Sequence, residues 1–234
     1  MRARAGRWLR AAATAALLAS LGACVTPAGG SRSADCHDEH LSRVEAQALL
    51  QTLNVELLSH DSATATLEHW CERHHLATPA IVVAERIREV DKPATAELRR
   101  ALAVPDAEAI RYRHVRLRCG PVVLSEADNW YVPGRLSEEM NRQLDTSDVP
   151  FGKVVKPLRF QRYTLESRAL WTPLPDGWEM QPRSAACTAI VPPAQVLQHR
   201  ALLMLPNGLP LSEVIETYSG NLLDIRRTTC APRP

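Results

Sequence analysis

No two of the six cysteines in this 234-residue chain form a CxxC pair, so a zinc site lacks its usual ligand framework. The one histidine cluster, His69, His74 and His75, reads as the surface end of a helix; no metal and no cofactor is expected. Excess positive charge is missing as well. The chain has 28 basic and 26 acidic side chains, and four of the arginines fall in the first 23 residues, which contain no acid. The remainder therefore carries 24 basic against 26 acidic groups, a net of −2. That balance excludes a chain-wide basic field for nucleic acid. Repeats of solenoid length and sustained low-complexity tracts past residue 35 are absent too, which excludes repeat arrays. The apolar run at Ala11–Leu21 is too short to cross a bilayer.

What does stand at the start is an address. Arg2, Arg4, Arg7 and Arg10 precede the apolar run, and Leu21-Gly22-Ala23-Cys24 supplies the small residues of a signal-peptidase site. This tetrapeptide resembles a bacterial lipobox. The resemblance implies lipidation of Cys24, and Val25 after it favours the outer over the inner membrane. Residues 1–23 are then a lipoprotein signal peptide, 24–35 the lipidated cysteine and a flexible tether, and 36–234 a single domain. The expected place is the cell envelope, as an outer-membrane lipoprotein facing the periplasm. In an exported protein disulfides form. Cys36, Cys71, Cys119, Cys187 and Cys230 are an odd set, and Cys119 closes an apolar strand, so it is expected as a free, buried thiol. Two bridges are expected among the other four, with all three pairings open.

Residues 38–58 carry apolar side chains at helical spacing. Asp61 or Ser62 is placed to cap a second helix bearing Leu67, Trp70 and Cys71 on one face. A strand follows at 80–87, then a short helix opened by Pro93. Ile110–Cys119 alternates strictly: Val115, Leu117 and Cys119 share one face, and Tyr112, His114, Arg116 and Arg118 the other. Val122–Val132 is a further strand, and a helix reaches about Leu144. Asp148 stands before the helical turn at Pro150–Lys153, and 158–170 is strand-like.

Two apolar arms around Pro206-Asn207-Gly208 then read as a hairpin. Its second arm carries Glu213 and Glu216, which have opposite parity and so point to opposite faces of a sheet. One looks inward and needs a cation, because an unpaired buried carboxylate costs several kcal/mol. The basic face of the 110–119 strand is the expected source. A short echo links Leu124-Ser125-Glu126-Ala127 to Leu211-Ser212-Glu213-Val214, each followed by a tyrosine at the same offset. The order of elements gives an α+β class with a largely antiparallel sheet and helices over one face.

Four segments carry a resemblance that spans most of 36–234. LLSHDSATATLEHW (57–70), IRYRHVRLRC running on to DNWYVP (110–133), DVPFGKVV (148–155) and NGLPLSEVIETY (207–218) are similar, in this order, to motifs of the chorismate lyase superfamily. That superfamily also contains the ligand-sensing domains of GntR-type regulators. The resemblance implies a chorismate-lyase-like sheet with a buried pocket between it and its helices; the 57–70 segment, with Trp130 or Tyr131 at the rim, is expected to close that pocket. It also implies an arginine on the central strand and a glutamate on the last strand. Glu216 takes the glutamate's place with one inserted residue, and Glu213 stays a candidate. His114 falls at the arginine's place, flanked by Arg113 and Arg116.

The candidate ligand-binding set is therefore Glu216, Glu213, His114, Arg116, Arg118 and Trp130, the last expected at the pocket rim. Glu216 is also the one catalytic candidate. Three functions fit. The first is an exported lipoprotein binding a small anionic ligand, such as an aromatic carboxylate, without catalysis. The second is a lyase-type enzyme acting on chorismate or a related carboxylate, and the third a structural envelope lipoprotein holding a protein partner. The first is preferred, with membrane contact through Cys24 and no nucleic-acid partner.

Overall fold

The computed structural model describes residues 39–182 and 190–224. The signal peptide, Cys24, the tether, Cys36, Cys187 and Cys230 lie outside the described residues. Leu50, Leu53 and Leu57 recur at helical spacing and form the buried stripe of α1 (Glu39–Ser59). The Ser62 hydroxyl accepts from Ala65 N at 3.2 Å and caps α2 (Ala63–Arg73), a contact worth about 1 kcal/mol. The short helix α3 (Ala96–Ala101) starts behind Thr95, whose hydroxyl accepts from Leu98 N, and not at Pro93. Helix α4 is Glu138–Thr146, and α5 is the single turn Phe151–Val154. Asp148 does not cap α5, since Pro150 holds the N-cap position.

Six strands make one antiparallel sheet: β1 (Val82–Ile87), β2 (Arg111–Cys119), β3 (Val122–Tyr131), β4 (Gln161–Ala169), β5 (Gln195–Met204) and β6 (Pro210–Ser219). Their order, β1-β2-β3-β6-β5-β4, sets two three-stranded meanders side by side about a local two-fold between β3 and β6. The sequence echo is the trace of that symmetry: Ser125 lies opposite Tyr218, and Tyr131 opposite Ser212. Gly120, at φ +54°, makes the β2–β3 turn, where a Cβ would come 2.7 Å from the Ala77 Cβ. Gly208, at φ +81°, turns β5 into β6 as the Asn-Gly signal predicts.

Helices α1 and α2 lie on what we term the inner face. Leu53, Leu67 and Trp70 pack there against Val115, Leu117, Ala127 and Val214, the main core of the domain. The outer face carries the short helix α3. Leu98 of α3 packs on Trp130, Ile215 and Leu202, because Tyr112, Trp130 and Ile215 leave an apolar patch there. The expected free thiol of Cys119 is also corrected: Cys119 is bridged to Cys71. Cys119 shares the inner face with Val115 and Leu117, and the buried stripe of α2 sets Cys71 directly above it.

Candidate ligand pocket

Register decides which side chains meet. Val115 pairs with Ala127, and Ala127 with Glu216, so Glu216 stands on the inner face with Val115 and Leu117. Counting back along β2, Arg113 shares that face. The cavity between sheet and helices has Arg113 and Asn129 on one side of its floor and Arg162 and Glu216 on the other. Val115, Ala127, Phe160 and Leu203 give it apolar walls, and Asp61, Ser62, Thr64, Phe151 and Gly152 form the roof. The cavity volume is about 50 Å³, smaller than the roughly 150 Å³ of a cavity that holds benzene, so a ring-sized ligand requires the roof to open. Gly152 keeps the roof thin: a Cβ there would meet the Ser62 and Thr64 hydroxyls at 3.3 Å.

The two buried arginines differ. Arg162 Nη2 stands 2.6 Å from Glu216 Oε2, with side chains 3% and 8% exposed. The Tyr218 hydroxyl donates to the same oxygen at 3.0 Å. Burial presses the Arg162 pKa down, but the charges and hydrogen bonds of Glu216 and Tyr218 together outweigh it and the net shift is upward. The ion pair is close but poorly aligned for hydrogen bonding, leaving Arg162 Nε and Nη2 without a well-directed acceptor.

Arg113, 2% exposed, forms no ion pair among the described residues, and Asp148 and Asp145 offset its burial only in part. Its Nη2 makes one long bond to Val149 O at 3.4 Å, while Nε and Nη1 have no partner. Burial and then the charge of Arg86 bring its pKa down to about 10, so it stays a cation at neutral pH. Beside it the buried Asn129 Oδ1 is also unpartnered. The first turn of α2 adds the positive end of a helix dipole to the roof.

Deeper under α1, His199 is wholly buried. Its Nε2 lies 2.8 Å from Asn54 Oδ1 and 3.1 Å from Ser167 Oγ. Burial, then the nearby Arg162, hold its pKa down to about 4, so the ring is neutral.

The expected partnership of Glu216 with His114, Arg116 or Arg118 is not formed. Those three project from the outer face, where the structure gives them other partners. His114 Nδ1 meets Asp128 Oδ1 at 2.8 Å. Arg116 bonds Glu126 at 2.8 Å, and Arg118 bonds Glu85 at 3.2 Å. Burial raises the Asp128 pKa, but hydrogen bonds from Lys92, Tyr112 and His114 outweigh it and the net shift is downward. Glu213, 3% exposed, is on the outer face too and pairs with Arg200 at 2.7 Å. Trp130, whose indole donates to Lys92 O at 2.8 Å, packs under α3 and does not line the cavity. Of the sequence candidates only Glu216 does, and the 57–70 segment closes the cavity as expected.

Arg113 and Arg162 were missed. For Arg113 a signal existed, since strand parity from Val115 puts it on the apolar face. Arg162 had none, because its distance from Glu216 is fixed only when β4 and β6 flank β5.

Fold and site together define an α+β domain with an arginine-bearing cavity beneath two helices. The chain belongs to the family of the uncharacterized protein y4mC of Sinorhizobium fredii, with which it shares 51% identity over 187 residues, 79% of each chain. No protein-family profile matches it. Among solved structures it is similar to the effector domain of PhnF from Mycobacterium smegmatis (11% identity, 60% of this chain and 82% of that one, TM-score 0.41). It is also similar to the possible transcriptional regulator YydK from Bacillus subtilis (16% identity, TM-score 0.36), matching over 59% of this chain and 58% of that one.

Proposed function

We propose that this chain is an exported, lipid-anchored binding protein whose cavity takes a small anion with an apolar body, such as an aromatic carboxylate. The observation that carries the reading is Arg113: a fully buried guanidinium in the cavity wall with Nε and Nη1 unpartnered. A buried charge without hydrogen bonds is costly, and a carboxylate would supply Arg113 with a charged acceptor that it lacks. The flanking valines, Phe160 and Leu203 suit an apolar body. Binding is preferred over turnover because Glu216 Oε2 is already engaged by Arg162 and Tyr218. Export is supported by the Cys71–Cys119 bridge, since structural disulfides belong to oxidising compartments.

The test is calorimetric titration of the full chain in non-ionic detergent with benzoate and 4-hydroxybenzoate. Saturable binding should weaken at least tenfold in Arg113→Met and stay unchanged in Arg116→Met, the outer-face control. Binding indifferent to Arg113, or absent altogether, overturns the reading. Release of 4-hydroxybenzoate from chorismate, lost in Glu216→Gln, would make the protein a lyase.

A further inference from the structure

Sheet edges are exposed templates that proteins usually block, and the two edges here are treated differently. On β1 the outward amide of Ala84 is taken by Asp148 O at 2.8 Å. On β4, among the described residues, only the first outward amide is taken, that of Arg162 by Asp61 Oδ1 at 3.0 Å. Past the irregularity between Thr164 and Glu166, residues 165–169 are all exposed. Leu170 N points inward to Val196 O, so by the alternation of antiparallel strands Ser167 and Ala169 turn their N–H and C=O groups outward. Among the described residues nothing pairs with that edge.

The edge complements itself. Glu166 and Arg168 flank Ser167. A two-fold through Ser167 sets each Glu166 opposite the other copy's Arg168, twice, and Leu165 opposite Ala169. Lone charges on an edge strand repel partners, whereas alternating signs around one residue select an antiparallel copy of the same strand.

Helix α1 adds area on the same side. Its Asn54 Oδ1 accepts from Ser167 Oγ at 3.0 Å, which fixes the side of the helix above β4. Going round from Asn54, away from the buried stripe, Leu58 comes about 40° further and Val55 about 100° further. Both are exposed, at 46% and 57%, as is Leu165 at 50%. They overhang the open edge and would meet their counterparts above the seam.

We propose that β4 pairs with β4 of a second copy about a two-fold near Ser167, continuing the six-stranded sheet across the dimer, with α1 packed against α1. Sedimentation velocity on the full chain in non-ionic detergent, in parallel for all variants, tests this. Wild type should sediment as a dimer. Glu166→Arg and Arg168→Glu should each weaken dimerisation at least tenfold, and the double reversal should restore it. Both side chains are exposed, so an unchanged circular dichroism spectrum verifies folding. A monomeric wild type, single reversals without effect, or a double reversal that fails to recover would each overturn the proposal.

Discussion

Removing Arg162 tests the buried ion pair most directly. Its nitrogen and the Glu216 oxygen are 2.6 Å apart, with both side chains under a tenth exposed. At an effective dielectric of about 20, unit charges at that separation attract by about 6 kcal/mol. Desolvation costs several kcal/mol per ion and offsets most of this, so the pair is close to neutral against an apolar replacement. Losing one partner is different, because the carboxylate stays buried without its cation. Arg162→Met should therefore destabilise by about 3–5 kcal/mol. Glu216→Gln in turn leaves the Arg162 guanidinium buried without its anion and should cost a comparable amount. The double variant Arg162→Met/Glu216→Gln should cost at least about 2 kcal/mol less than the sum of the two. Urea denaturation of all four proteins at one pH gives the coupling. Costs additive to within about 0.5 kcal/mol, the behaviour of independent sites, would refute the reasoning.

His199 should make stability depend on pH. Its folded pKa is about 4 against about 6.5 unfolded, so the unfolded chain binds the extra proton. Stability should then fall as pH drops from about 6.5 towards 4, by up to about 3 kcal/mol; His199→Asn, followed by urea midpoints across that range, should flatten this component. The Cys71–Cys119 bridge closes a separation of 48 residues, for which loop entropy gives about 4 kcal/mol, and Cys71→Ala/Cys119→Ala should lose about that much in urea titrations. Non-reducing peptide mapping should recover the bridged pair; free Cys119 would rule it out. Cys24→Ala should move the protein out of the membrane fraction, and unchanged fractionation would dismiss the lipid anchor.

Features set by neighbours in sequence were legible in it. The α1 helix, a cap at Asp61 or Ser62 and the Asn-Gly hairpin each depend on a few consecutive residues, and all are present; the helix face expected through Leu41, Leu49, Leu53 and Leu57 is shifted, with Leu50 buried and Leu41 exposed. The site was legible only in part, because a pocket depends on parity carried across strands. Glu213 and Glu216 were known to oppose each other, but which of them faces the β2 arginines depends on the β3 register, a non-local quantity. Extending the Val115, Leu117, Cys119 face back two residues points to Arg113. The eye goes instead to the richer row of Tyr112, His114, Arg116 and Arg118, which lies on the outer face and is paired there with Asp128, Glu126 and Glu85. Cys119 went wrong for a related reason: its burial was legible, but its neighbour comes from a helix 48 residues away.

The contrast between the two cavity arginines separates architecture from function. Arg162 is answered from within the chain by Glu216, and that pair has a structural role even in an empty cavity. Arg113 is answered only by a long bond to one carbonyl. The charge of Arg86 makes its position worse, more than Asp148 or Asp145 improves it. A hydrophobic residue there would fold more easily, as replacements of buried charges by apolar groups commonly do. Arg113→Met should therefore leave the protein as stable as the wild type or more so, while abolishing anion binding. That combination marks a residue kept for its ligand, whereas a loss of stability comparable to that of Arg162→Met would mark Arg113 as another part of the scaffold.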